Sequence, residues 1–346
     1  MQLLVTLGRT ALLVMMALLP VHYSALAEQP DTLKLEADCA TGSADACGQL
    51  GGLYLAGVGV TFDATKGAAL ISQACDGGVQ QSCTHLGALL LSGTGLPADP
   101  ARSAVLFAAS CKAGSGEACH YLGGQYLLGL GVQTNPQLAR AHNLTACQRK
   151  VPAACGHLGG MLETGFGYEV DLKLAVTMRD RACTGGDIHS CYKLGRIFED
   201  GRGHAKDLKR ASDLYLQACR GNDATACFRL GELVKQGELA DTLGQDSDGM
   251  YARALELSSP GCTGGDVMSC LTVADVLRAT GRPTEASKLN AQVLPHLNDT
   301  CTRGDFTACV ELSSMYLHGH GVEVSTSQAA TQQARACALG ATNSCL

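Results

Sequence analysis

Tryptophan is absent from this chain of 346 residues, and aromatic side chains make up only 4% of it, as six phenylalanines and nine tyrosines. At about 100–200 residues per domain the length would suggest two globular domains, but so thin an aromatic supply does not suit two large cores. Charged residues are scarce too, at 17% against a hydrophobic fraction of 46%. Disordered chains show the opposite balance, so this one folds. No run of lysine or arginine occurs and the formal net charge is −6, which removes the cationic footprint of a nucleic-acid partner. No apolar stretch reaches the roughly 20 residues of a membrane-spanning helix. Regular strand alternation is missing as well. What the chain has in excess is 18 cysteines and 42 glycines.

Residues 1–27 read as an export signal. Arg9 closes a short basic region, Ala11 to Leu19 is apolar, and Ala25-Leu26-Ala27 supplies the small residues a signal peptidase recognises. Cleavage after Ala27 leaves 319 residues (346 less 27) in the periplasm or outside the cell, where disulfides persist. An uncleaved anchor is the competing reading. A lipoprotein fits less well, because the first cysteine, Cys39, lies well past the apolar stretch and follows Asp38.

The cysteines fall into nine pairs, each spaced i, i+8: Cys39/Cys47, Cys75/Cys83, Cys111/Cys119, Cys147/Cys155, Cys183/Cys191, Cys219/Cys227, Cys262/Cys270, Cys301/Cys309 and Cys337/Cys345. Their first members recur every 36 residues from Cys39 to Cys219, after which the gaps are 43, 39 and 36. This is an internal repeat. Counted from the second cysteine, position +3 is leucine or valine (Leu50, Leu86, Leu122, Leu158, Leu194, Leu230, Val273, Leu312) and position +4 is small (Gly51, Gly87, Gly123, Gly159, Gly195, Gly231, Ala274, Ser313). With the cysteine and +7 these lie on one face of a helix, and the small residue predicts a closely packed neighbouring helix. A glycine turn follows, then a second helix opening at Asp63, Asp99, Asn135, Asp171, Asp207 or Ser325, short polar residues suited to cap it.

Eight residues along one helix cover about 12 Å, beyond the roughly 4.4–6.8 Å between Cα atoms that a disulfide tolerates. Pairing therefore requires a chain reversal, and Gly42, Gly78, Gly114, Gly186, Gly265, Gly304 or Gly340 supplies one three residues after the first cysteine. Asn222 can substitute there, and Lys150 is the exception. Each bridge would tie the end of one unit's second helix to the start of the next unit's first helix, worth about 2.5 kcal/mol in the chain-entropy model. Zinc is the competing account, but its structural knuckles pair cysteines two to four residues apart, so disulfides are favoured and no metal is expected.

The unit Ala46-Cys47-x-x-Leu50-Gly51-x-x-Tyr54-x-x-Gly57-x-Gly59-Val60, followed by a helix ending in Ala74-Cys75, resembles the Sel1-like repeat, a relative of the tetratricopeptide repeat. The i, i+8 cysteines resemble those of the Helicobacter cysteine-rich protein family. That resemblance implies an all-α, right-handed αα-solenoid stapled by disulfides and spanning residues 28–346, with a lone helix near 31–41. Eight units follow, near 44–79, 80–115, 116–151, 152–187, 188–223, 224–266, 267–305 and 306–341. Units six and seven carry extra residues, including the polar stretch Ala240 to Gly249 and the prolines Pro283 and Pro295; tolerated lengthening of loops is the simplest reading.

The same resemblance implies penicillin binding and weak β-lactam hydrolysis, so a serine-hydrolase set has to be sought. Ser190-Cys191-Tyr192-Lys193 is an S-x-x-K, whose serine and lysine would stand one helical turn apart. Ser190, however, fills a slot held by alanine or serine in every unit, and no K-T-G or S-D-N accompanies it. Position +2 is the variable polar one: Gln49, His85, Tyr121, His157, Lys193 and Arg229. On a repeated frame such positions suit a binding surface. The expectation is an exported monomeric scaffold, without cofactor, that binds a protein or peptide along a concave face made by the first helices. A β-lactam or peptidoglycan hydrolase is the alternative.

Overall fold

The computed structural model describes residues 31–166, 169–237, 246–304 and 306–338. The export signal, Gly340 and the Cys345 member of the last pair lie outside these residues. Among them there are 17 helices and no strand. By internal contacts the chain divides into two units, Met1–Ser82 and Cys83–Leu346.

In the first unit, α1 (Thr32–Ala40) is the expected lone helix, and α2 (Ala44–Ala56) and α3 (Ala64–Asp76) form one helix pair. Its core gathers Cys39, Cys47, Leu50, Tyr54 and Ala74. The second unit repeats the pairing. After α4 (Gln80–Ser92) come α5 (Pro100–Lys112), α6 (Gly116–Leu128), α7 (Pro136–Gln148), α8 (Pro152–Thr164) and α9 (Leu172–Thr184). Then follow α10 (Ile188–Asp200), α11 (Leu208–Arg220), α12 (Ala224–Lys235), α13 (Ser247–Thr263), α14 (Val267–Ala279), α15 (Pro283–Thr302), α16 (Phe306–His318) and α17 (Thr326–Ala338). From α5 onward each helix packs on its sequence neighbours, as expected of an αα-solenoid built from local contacts.

The termini of the helices follow from the side chains found there. Carboxylate or amide oxygens of Asp63, Asp99, Asn135, Asp171 and Asp207 accept the backbone N–H three residues on, and the Ser325 hydroxyl accepts from Gln328. Each satisfies an orphan donor of the first turn. The reversal between paired cysteines is made by one residue in the left-handed region. Glycine holds it at most junctions, with Asn222 at φ 69° and Lys150 at φ 64°. Lys150 thus takes the glycine conformation despite its Cβ.

These reversals let the paired cysteines meet as their spacing predicts. Seven bridges close with Cα atoms 4.5–4.8 Å apart: Cys39–Cys47, Cys111–Cys119, Cys147–Cys155, Cys183–Cys191, Cys219–Cys227, Cys262–Cys270 and Cys301–Cys309. Cys75, Cys83 and Cys337 are disulfide-bonded too. The second members sit on the core side of the first helices, where Cys119, Cys155, Cys227 and Cys270 are all buried. They are therefore staples of the frame and take no part in the outward surface.

The small +4 residue has the predicted cause. A Cβ on Gly87 would stand 2.7 Å from the Phe107 ring, one on Gly123 2.6 Å from Asn143 Nδ2, and one on Gly195 2.6 Å from the Tyr215 ring. The facing residues Ile71, Phe107, Asn143, Arg179 and Tyr215 form a second 36-residue series, four before the first cysteine of each pair. The extra residues of unit seven correct the expectation of longer loops. In unit six, by contrast, eleven residues, 236–246, separate α12 from α13 against seven between α10 and α11, and most of the polar stretch 240–249 lies outside the described residues. Helix α13 has 17 residues and α15 has 20, where 13 is the rule, and the turn before α15 shrinks to Thr280-Gly281-Arg282. Pro283 sits at the start of α15, where its missing N–H costs nothing, while Pro260 and Pro295 are accommodated inside helices.

Candidate functional site

In each first helix the cysteine and positions +3, +4 and +7 point into the core, so +2 and +5 face the other way and +8 borders them. In the second unit these outward rows change character along the chain. On α4 and α6 they read His85, Ala88, Leu91 and Tyr121, Gly124, Leu127. From α8 onward they carry charge: Glu163 beside His157, then Lys193, Arg196 and Glu199, then Arg229, Glu232 and Lys235, then Asp275 and Arg278, and finally Glu311. Of the +2 residues singled out from sequence, His85, Tyr121 and His157 are exposed and Lys193 and Arg229 half-buried. In the first unit Gln49 is exposed. The +5 and +8 residues were missed, although the same register marks them.

Most of these charges are partnered. Arg179 Nε donates to Glu163 Oε1 at 2.6 Å, with both side chains about nine-tenths buried. Arg229 donates to Glu199 at 2.9 Å, and the same carboxylate accepts the Tyr215 hydroxyl. Glu232 accepts from Tyr251, and Asp275 pairs with Arg278. Arg196 lies 3.7 Å from Asp200 and 3.4 Å from the Tyr192 hydroxyl. Three guanidinium N–H groups, Arg196 Nε, Arg229 Nε and Arg278 Nη1, are out of water with no hydrogen-bond acceptor. Arg229, Glu232, Asp275 and Arg278, with Phe228 and His320, line a cavity of about 410 Å³. A depression of about 490 Å³ at the turn between α6 and α7 is lined only by neutral side chains such as Tyr126, Gln133 and Asn135.

Electrostatics sharpens the contrast within the charged rows. Burial, and then the cations Arg179 and Arg196, hold the Lys193 ammonium below the usual lysine range. Burial, and then Asp275, push the Glu311 carboxyl up, with Arg196 and Lys193 opposing. Asp275 is raised by burial despite Arg278. Further along, the rings of His120 and His157 lie 4.7 Å apart, and His120 Nδ1 bonds Asn143 Oδ1 at 2.9 Å. Desolvation, followed by His120 and Arg179, holds His157 below the usual imidazole range, so at neutral pH its ring adds no charge to the row that holds Glu163. Among the described residues no group of three or more histidines, cysteines or carboxylates is placed to hold a metal ion.

The S-x-x-K pair is not poised for hydrolysis. Ser190 is completely buried and donates its hydroxyl to the Asp187 carboxylate, while Lys193 lies on the outward face with its ammonium 5.6 Å from the centre of the Tyr192 ring. A carbonyl carbon has no path to that serine. The slot selects a small residue because a Cβ on Gly156 of the preceding first helix would already lie 2.5 Å from Ser190 Oγ.

The Sel1 repeat family model matches residues 44–79, 80–115, 116–149, 152–187, 188–223 and 307–331, more than half of the chain. This chain belongs to the Sel1 repeat family. The stretch between its matched Sel1 repeats, 224–306, contains the two lengthened second helices and half of the charged rows. Sel1 repeats are typically protein-interaction modules rather than catalysts. Two of the solved structures that share the fold illustrate the likeness. A Sel1 repeat protein from Oxalobacter formigenes superposes with TM-score 0.57 at 21% identity, covering 68% of this chain and all of that one. The crystal structure of c5321, a protective antigen of uropathogenic Escherichia coli strains displaying an SLR fold, gives TM-score 0.52 at 19% identity over 88% of this chain. This chain spans 63% of that antigen's length. No curated protein matches significantly. Among the described residues no helix is long and apolar enough to cross a membrane.

Proposed function

We propose that this Sel1 repeat chain is an exported, disulfide-stapled scaffold that binds a peptide or protein segment on the outward face of its first helices, with Arg229 and its neighbours at the centre. The observation that carries this is the contrast between frame and face. The same caps, bridges and buried glycines recur from unit to unit, while +2, +5 and +8 change identity and accumulate charge that is only partly spent internally. A stapled frame holds such side chains in place before a partner arrives, which lowers the ordering cost of association. Export is supported by the signal-like residues 1–27 and by bridges that belong to an oxidising compartment. Selection from a random peptide display library by the oxidised full chain tests this function. Selected peptides should saturate in titration and lose binding to Arg229→Glu protein of unchanged circular dichroism. Peptides that bind Arg229→Glu and Arg196→Glu as well as the parent would remove the site from this face.

A further inference from the structure

Two departures from the repeat converge on the Cys111–Cys119 bridge. The slot two residues after the first cysteine of a pair is Gly77, Gly185 or Gly221 in other units, where a Cβ would run into Ala44, Pro152 or Ile188 at the start of the preceding unit's first helix. At one junction the crowded pair is exchanged. Arg149 takes the slot and Gly116 stands opposite, where a Cβ would lie 3.0 Å from Arg149 Cβ. The room so made lets the guanidinium turn back over the preceding bridge. Arg149 Nη1 donates to the Cys111 carbonyl at 2.8 Å and stands 3.1 Å from Cys119 Sγ. Its further acceptor, at 3.4 Å, is the Ser115 carbonyl, and among the described residues no carboxylate pairs with it. The other sulfur is approached as well. His142 Nδ1 lies 3.9 Å from Cys111 Sγ, in a slot that holds Leu70, Leu106, Met178 or Leu214 elsewhere, and its ring stacks on Tyr126. Burial holds this imidazole below its usual range, so at neutral pH the positive charge in contact with the bridge is that of Arg149.

We propose that Cys111–Cys119 is a thiol-exchange site, the bridge of this array that a dithiol reductant opens first and reversibly. Cys111 keeps 9% of its surface in solvent and Cys119 none, so the incoming thiolate reaches Cys111 Sγ. A bond forms between the reductant's sulfur and Cys111, the Cys111–Cys119 bond breaks, and its electron pair leaves on Cys119 Sγ beside the guanidinium. The reductant's second thiolate then attacks its own sulfur in the mixed disulfide and releases Cys111. The dithiol departs as a disulfide; one of its protons goes to solvent and the other to the Cys111 thiol, which His142 is placed to hydrogen-bond. Cys119 stays a thiolate. A neighbouring cation stabilises that thiolate, which makes it the better leaving group and favours the reduced pair. The Cys183–Cys191 bridge has Gly221 and Leu214 in the same two slots and lacks both groups. Opening unclamps α5 from α6 while the bridges to either side remain closed. None of this rests on the scaffold reading.

The test is equilibration of the oxidised full chain with dithiothreitol at a series of reduced-to-oxidised ratios, followed by acid quenching, alkylation of free thiols and mass spectrometry of each cysteine peptide. Cys111 and Cys119 should be half reduced at a ratio about tenfold lower than Cys183 and Cys191, a shift of about 30 mV for two electrons. Exposure alone predicts a different order. Cys75, Cys83 and Cys262 are half-buried, so the Cys75–Cys83 and Cys262–Cys270 bridges would open first. Arg149→Met keeps the aliphatic stem without the charge and should move the ratio for this bridge up to that of Cys183–Cys191, with Arg149→Lys between the two. If Arg149 served only to hold the turn through the Cys111 carbonyl, its loss would loosen the turn and make the bridge easier to reduce. That opposite shift overturns the inference. Reduction of all the bridges together, or first opening of Cys75–Cys83 or Cys262–Cys270 in the parent, overturns it as well.

Discussion

Replacing Gly195 by alanine adds one methyl group where α10 packs on α11, and the cost follows from what that methyl meets. It would stand 2.6 Å from Tyr215 Cε1 and 2.8 Å from Cδ1, distances that carbon atoms do not share. The ring cannot retreat freely. Tyr215 is completely buried, and its hydroxyl is held by Glu199, which also holds Arg229. Overpacking of this kind costs about 1–3 kcal/mol, against which alanine gains about 1 kcal/mol of helix propensity over glycine. The net expectation is destabilisation of up to about 2 kcal/mol. Gly124 is the control. It also lies inside a first helix, but a Cβ there meets nothing within 4 Å, so Gly124→Ala should stabilise by up to about 1 kcal/mol. Urea unfolding under non-reducing conditions, followed by circular dichroism, should give midpoints in the order Gly124→Ala, parent, Gly195→Ala. Repeat arrays need not unfold in one step, so hydrogen exchange should show the loss of protection confined to α10, α11 and their neighbours. A Gly195→Ala chain at least as stable as Gly124→Ala would refute the account of the small residue as a packing requirement.

Lys150→Gly removes a side chain from the left-handed turn at φ 64° and should stabilise by about 0.5–1 kcal/mol after the added freedom of the unfolded chain is offset; an unchanged midpoint would mean that the turn carries no strain. Glu163→Ala leaves the Arg179 guanidinium buried without its main partner and should cost about 3–5 kcal/mol, whereas the double change Glu163→Leu with Arg179→Met should recover most of it, as read from melting curves. Glu311 is raised in the folded state, so its ionisation opposes folding: its contribution is intact below the unfolded carboxylate value and is lost as pH rises through the folded one. Glu311→Gln should therefore melt higher than the parent at pH 7, with the difference vanishing in acid. Fluorescent penicillin should leave no stoichiometric covalent label, because Ser190 is buried and bonded to Asp187; a label abolished by Ser190→Ala would restore the hydrolase alternative.

The sequence by itself determined the repeat, and it did so because the interactions that define it are short in range. Capping at Asp99 or Asp207 acts over three residues, and a bridge such as Cys111–Cys119 or Cys219–Cys227 acts over eight. The core face of a first helix is written in the positions +3, +4 and +7. The tertiary structure alone decided the rest. It put the surplus residues of unit seven into helix α15 rather than into a loop, since helix pairs have to keep packing whatever lies between them. It set Lys150 into a glycine conformation, because the Cys147–Cys155 bridge and the two flanking helices fix that turn. Above all it gathered Arg229, Glu232, Asp275, Arg278 and His320, spread over 91 positions, around one cavity. Register predicts that the +2, +5 and +8 residues face outward, but which of them share a cavity depends on how successive units pack, which no single repeat encodes.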